Sequence, residues 1–458
     1  MSLIIKFLFF LLKLINSKYI SIPFIVQQFN HKKETSLIKN YIYKDILISF
    51  LIGTPEQKIN ISACLGEYTT FIIPIDGIGF EGATYNKNIS KSFSSYTEKP
   101  DFYLFQLFNK GIHSKDNFII EKSQIRINNL EFMLAYEVGI NICHINYCEV
   151  LTQPGILGFL LNERYDEYNT TKLNFMKQLK DKNLISNYDF NFDFETENSG
   201  HIIIGEKPHE YDNIHYDEEY FLNNKITIVG NDIDWRYSFD KILYGEQEIN
   251  NQKAVIFRIE YGLIMGDYPW QKILENNFFN KLINESKCFK ETTTEKDNKI
   301  MFYYCNKNID LSEFQPFTFY INEFNFNFTL TKDDLFLEEN DKYIFLMVFG
   351  KYDLIFGYPF FKKYQLIFNQ ESKTIGFYRE MKNNSSSSSP SNNNINIYYI
   401  VIIVLSIILL ILIVIFIFCY LKEIKNKKKS AKELSNEKND NDITDEKNKK
   451  LVEENEIN

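Results

Sequence analysis

Apolar and polar positions alternate in short runs along much of this 458-residue chain. Ile46, Ile48 and Phe50 alternate along the chain, Gly53-Thr54-Pro55-Glu56 supplies turn chemistry, and Ile59 and Ile61 resume the alternation. The pattern predicts two strands joined by a tight turn, because a pleated strand sends successive side chains to opposite faces. Further strands are expected over 188–194, 201–204, 235–243, 253–259, 317–320, 324–330 and 343–349. Helical spacing is scarce. Its clearest instance is 172–182, where Leu173, Phe175, Met176 and Leu179 would share one face. Many short strands with few helices imply a mostly β sandwich or barrel.

Two long apolar runs stand outside this pattern. Phe7 to Ile15 is apolar apart from Lys13, follows Lys6 and precedes Asn16, Ser17 and Lys18, so residues 1–17 read as a signal peptide. Residues 397–421 are 25 positions without a charge, and at about 1.5 Å per residue they would cross a hydrocarbon core with some tilt, as a transmembrane helix. Six lysines lie between Lys422 and Lys432, whereas 383–396 carries no charge. That asymmetry assigns the tail 422–458 to the cytoplasm and residues from about 18 to 396 to the lumen or the outside. The expected topology is a single-pass type I membrane protein of the secretory system or cell surface. The Asn- and Ser-rich stretch 380–396 holds too little apolar surface to fold and reads as a stalk, and sequons at Asn88, Asn169, Asn284, Asn327 and Asn384 suit a glycoprotein.

Composition narrows the chemistry. A hydrophobic share of 45% can fill a substantial core, and a net charge of −9 offers no general attraction to a phosphate backbone, so no nucleic acid is expected as partner. The six histidines and six cysteines include no Cys-x-x-Cys or His-x-x-x-His, which argues against zinc fingers and zincins. No metal or other cofactor is expected. In an oxidising compartment Cys143 with Cys148 and Cys288 with Cys305 are close enough in sequence for two local bridges; Cys419 falls in the second apolar run, and Cys64 is left over.

Five segments then follow one another in a telling order: Ile52-Gly53-Thr54-Pro55-Glu56-Gln57; Pro154-Gly155-Ile156-Leu157-Gly158-Phe159; the Phe-x-x-Gln-Leu of Phe175 to Leu179; Asn198 to Gly205; and Leu354-Ile355-Phe356-Gly357 through Ile375-Gly376-Phe377. Together they resemble the pepsin-like (A1 family) aspartic peptidases. The resemblance implies a mostly β, bilobal acid-protease fold, here with a C-terminal transmembrane helix. It implies a short N-terminal segment at 18–40 that is a candidate propeptide, an N-terminal lobe at 41–210 and a C-terminal lobe at 225–379. Cys288 and Cys305 stand where the family's second-lobe disulfide usually does.

The resemblance fails at the catalytic residues. Each lobe of such an enzyme contributes one Asp from an Asp-Thr/Ser-Gly loop, and the paired carboxylates share a proton and activate water. This chain contains neither Asp-Thr-Gly nor Asp-Ser-Gly. The matching loops, 61–68 and 254–261, put Cys64 and Phe257 at the two dyad positions. Phe257 reads as core packing in the space of a lost carboxylate, and Cys64 as a small buried hydrophobe or disulfide partner in preference to a nucleophile. The flap is altered as well, with Leu104 in place of its Tyr. Asp76 and Asp267, near the loops, adjoin turn residues and read as solvated. Both loops end in Glu-Tyr, which makes Glu67 and Glu260 candidate substitute acids if the lobes bring them within about 6 Å of each other.

The sequence thus describes a membrane-anchored pseudo-peptidase that binds an extended peptide or a protein in its interlobe cleft. Two rivals remain: an active aspartic-type endopeptidase using substitute acids, and a structural or adhesive ectodomain. An open groove with two facing acids would favour the enzyme, an open apolar groove the binder, and a filled groove the scaffold.

Overall fold

The computed structural model describes residues 18–378 apart from 29–37, 78–83, 97–107, 139–141, 161–172, 226–233 and several shorter stretches. The expected signal peptide, Leu104, the sequons at Asn169 and Asn384, the stalk, the transmembrane helix and the tail all lie outside the described residues. Among the described residues no helix is long and apolar enough to cross a membrane.

Strands dominate, as the alternation predicts. The largest sheet has 13 strands and joins the two halves of the chain. Asp189–Thr196 of the first half pairs with Leu366–Asn369 of the second, Phe190 opposite Phe368. Ile20–Gln28, within the short N-terminal segment 18–40, is an interior strand between Ser199–Ile204 and Lys44–Ile52. The second half adds an eight-stranded and a four-stranded sheet. Helices are short. Phe175–Asp181 starts where the Asn174 side chain accepts from Lys177 N–H at 2.8 Å, and Tyr268–Leu274 starts at Asp267 in the same way. Asp267 is therefore a buried helix cap, whereas Asp76 is exposed as expected.

Each half repeats one strand arrangement. In the first, Gly155–Gly158 lies parallel to Gln57–Cys64 and antiparallel to Phe71–Ile72, which in turn runs parallel to Arg126–Val138. In the second, Leu354–Phe356 lies parallel to Val255–Phe257 and antiparallel to Ile264–Gly266, which runs parallel to Lys342–Phe349. Alternation sorts the second-half strands into two faces. Val255, Phe257, Ile264, Leu354 and Phe356 enter the main core, while Ile256, Met265, Ile355, Ile344 and Val348 form a second cluster on the other face. That second face is covered by Ile38, Tyr41 and Ile42 from the N-terminal side of the chain.

Trp235 locks the halves together. It is fully buried, its ring packs edge-on against Phe190 and Phe368, and its indole N–H donates to the Phe159 carbonyl at 2.8 Å. A disulfide joins Cys288 and Cys305, which face each other across an antiparallel pair. Cys143 and Cys148 are opposite one another in the hairpin Ile142–His144 and Tyr147–Glu149, with their side chains outside the described residues. Cys64 is a buried thiol outside the disulfide.

Candidate functional site

Two loops meet at the seam between the halves. In the first, the parallel register sets Ser62, Ala63 and Cys64 beside Ile156, Leu157 and Gly158. In the second, Val255, Ile256 and Phe257 lie beside Leu354, Ile355 and Phe356, and Arg258 N–H then donates to the Phe356 carbonyl at 3.0 Å. The ladder thus continues by one residue and brings Arg258 beside Gly357. Cys64 and Arg258 are the equivalent residues of the two loops, each beside the glycine that ends its partner strand. Only glycine fits at 357, where a Cβ would lie 2.2 Å from the Leu263 carbonyl oxygen.

This register differs by one residue from the expected match of Cys64 with Phe257. A slip of one residue exchanges the faces of a strand. Phe257 is fully buried on the core side, its ring against Phe356, Phe360, Phe361 and Phe377, and it packs there as expected. The unbroken apolar run Ala254-Val255-Ile256-Phe257 carries no mark of which residue faces the seam.

Arg258 organises what stands at the seam. Its guanidinium donates to Asp234 Oδ1 at 2.6 Å and to Glu260 Oε1 at 3.3 Å, and all three side chains are buried. Arg236 reaches Asp234 Oδ2 at 3.3 Å and Asp353 at 3.6 Å, so charges of alternating sign run from Glu260 to Asp353. Glu260 also reaches across to the first half. Its Oε1 accepts from the Cys64 thiol at 3.3 Å, and its Oε2 accepts from Leu65 N–H at 3.2 Å. Gly66 N–H in turn points at Cys64 Sγ, 3.3 Å away. A buried charge is tolerable only when it is paired and hydrogen-bonded, and here each of the three charged groups has such partners.

The guanidinium rests directly over the first loop. A Cβ on Gly66 would lie 1.6 Å from Arg258 Nη1 and 2.9 Å from Glu260 Oε1, so glycine at 66 is what lets the second loop close on the first. Glu67 and Glu260 are both buried, but they do not occupy matching positions. Glu67 is three residues after Cys64 and Glu260 two after Arg258, and Glu67 Oε1 accepts from Thr69 N–H within its own loop at 3.1 Å. The shared Glu-Tyr endings therefore do not correspond in space. Asp234 is the member that sequence reasoning missed; Arg258 lies inside the matched loop 254–261, one residue after the position expected to face the seam.

A strand-like segment of the chain itself lies alongside. Lys44 N–H donates to the Glu260 carbonyl and Gly262 N–H to the Ile42 carbonyl, both at 2.9 Å, with Tyr43 bridged to Tyr261 between them. Ile38, Tyr41 and Ile42 cover the apolar face described above. Lys44 extends its ammonium over the Tyr358 ring at 4.0 Å, and burial, with Lys362 nearby, lowers its pKa to about 8. Among the described residues no trio of His, Cys, Asp or Glu side chains is placed to hold a metal ion.

Two halves with one strand arrangement, meeting through equivalent loops beside a glycine, define a two-lobed acid-protease architecture. The profile of the eukaryotic aspartyl protease family matches residues 48–379, most of the chain, and the protein belongs to that family. No curated protein matches it individually.

Proposed function

We propose that the chain is a membrane-anchored, non-catalytic member of the aspartyl protease family, a pseudo-peptidase that holds an extended peptide or a protein instead of cutting it. One observation carries this reading: Arg258 and Cys64 are the equivalent residues of the two seam loops, and Arg258 is committed to Glu260 and Asp234. Proton sharing needs two carboxyl groups side by side with a water between their roles, and a guanidinium between two acids removes that condition. Both oxygens of Glu260 already accept hydrogen bonds, and Glu67 belongs to a non-equivalent position, so the substitute-acid enzyme is the weaker reading. The anchored, luminal topology rests on the uncharged run 397–421 with its lysine-rich flank, and the Cys288–Cys305 bridge fits an oxidising compartment.

A structural or adhesive ectodomain is the second reading. It is favoured by Ile38, Tyr41 and Ile42, which fill the apolar face of the second-half sheet with the chain's own residues. The test is an assay of the purified chain on unstructured protein from about pH 3 to about pH 6, with and without pepstatin. No inhibitor-sensitive cleavage is expected, and robust turnover would overturn the non-catalytic reading. Capture of extended peptides by the same preparation, against none, separates the binder from the scaffold.

A further inference from the structure

The face of the largest sheet turned away from the core carries a small polar cavity that the seam loops do not touch. Alternation builds its floor. Phe190, Phe368, Ile375 and Phe377 point to the core, so Asp189, Asn369, Thr374 and Gly376 fall on the opposite face. The register sets Asp189 opposite Asn369 and Asn369 opposite Thr374, one row across three strands. The walls are Lys207, just before the short helix Pro208–Tyr211, and Phe221 of the strand Phe221–Lys225. The Phe221 ring comes so close to the floor that a Cβ on Gly376 would lie 2.4 Å from it. The cavity measures about 170 Å³, and Ile367 and Ser372 complete its lining.

Most of the polar groups here satisfy one another. Asn369 Oδ1 accepts from Ser372 N–H at 2.7 Å, which turns the amide so that its nitrogen donates to Asp189 Oδ1 at 2.6 Å. The Ser372 and Thr374 hydroxyls share a hydrogen bond of 2.7 Å. Among the described residues two groups of the lining are left over. Asp189 is 4% exposed, yet its second oxygen, Oδ2, accepts no hydrogen bond. The Lys207 ammonium stands over the Phe221 ring, 5.2 Å from its centroid, and has no carboxylate within 4.0 Å. Burial raises the pKa of Asp189 although the Asn369 amide and Lys207 oppose it, so this carboxylate lacks a cation at contact distance.

One carboxylate and one ammonium thus face the same small space without pairing. A simple cation placed there is repelled by Lys207 and a simple anion by Asp189, whereas a molecule bearing both charges meets an opposite charge at each end. Drug-sized ligands take about 300 Å³ or more, so the cavity suits only a smaller one. Phe221 and Ile367 offer a wall for a short apolar side chain.

We propose that this cavity is a binding site for a free α-amino acid, held with its ammonium on Asp189 and its carboxylate on Lys207.

The test is calorimetric titration of the full-length chain in mild detergent at about pH 7, where an ordinary Asp is ionised and a Lys protonated. Glycine and L-alanine are the probes, with methylamine and acetate as single-charge controls at equal ionic strength. At least one amino acid should bind saturably, one per chain, with a Kd of about 1 mM or tighter, and each control about tenfold more weakly or worse. Asp189→Asn keeps the shape and Lys207→Met keeps the apolar stem, and each should lower the affinity about tenfold or more. The site is overturned if neither amino acid binds saturably, if a control binds as tightly, or if either variant binds as well as the wild type. Should Asp189→Asn fail to fold, Lys207→Met alone is read by the same criteria. Neither proteolysis nor capture of extended peptides enters, so failure here leaves the functional reading standing.

Discussion

The loops around Cys64 and Arg258 share a backbone plan and almost no chemistry. Both end a strand that runs parallel to a partner closing in glycine, and both reach the seam between the halves. One presents a thiol, an N–H and a bare glycine; the other presents a guanidinium and a carboxylate that close over it. The difference teaches that the fold depends on the ladder and on the glycines, which the backbone needs, while the side chains aimed into the seam are free to change as long as their charges balance. A small first loop and a charged second loop are complementary halves of one plug.

The comparison breaks most sharply at Arg258. Arg258→Ala would leave Glu260 and Asp234 buried without their shared cation and should cost about 3–5 kcal/mol in denaturant unfolding. A loss below about 1 kcal/mol would mean that the second loop is not held by its charges. Gly66→Ala comes next. The new Cβ collides with a guanidinium pinned on both sides, at a cost of about 2 kcal/mol. Most of that cost should vanish in an Arg258→Met background, and additive losses in the double-mutant cycle would show that the loops are not complementary. The smallest effect concerns Lys44, whose backbone docks on the second loop. Its pKa of about 8 lies below the unfolded value, so the cost of burying its ammonium is full below about pH 8 and fades as pH climbs toward the ordinary lysine range. Lys44→Met should therefore gain about 1 kcal/mol at neutral pH, discounted for partial exposure, and nothing above about pH 10.5. An unchanged gain at high pH would mean that the benefit comes from packing.

Much of the architecture is written locally. Ile46, Ile48 and Phe50 read as a strand because they recur at every second position, all three buried, and Asn174 marks a helix start by its side-chain oxygen. Reading 18–40 only as a short N-terminal segment leaves unused the alternation of Ile20, Ile22, Phe24 and Val26, all buried in a strand paired on both sides. Cys64 is legible because a polar-to-apolar rhythm brackets it. Arg258 is not, since four apolar residues precede it and nothing local sets the phase. A weaker signal existed. Arginine supplies only five of the 51 cationic residues, and one inside an apolar run must find an acid in the fold. That acid includes Asp234, 24 positions away in sequence and joined to Arg258 only by tertiary structure.

Trp235 also makes the molecule its own optical instrument. The chain has two tryptophans, both fully buried. Trp235 spans the seam through its bond to Phe159, whereas Trp270 stacks on Phe317 inside the second half, ring centroids 5.2 Å apart. Their emission should redden at different points if the halves part before either melts. Replacing each indole by phenylalanine in turn would assign the two signals and time the parting of the halves without any added label.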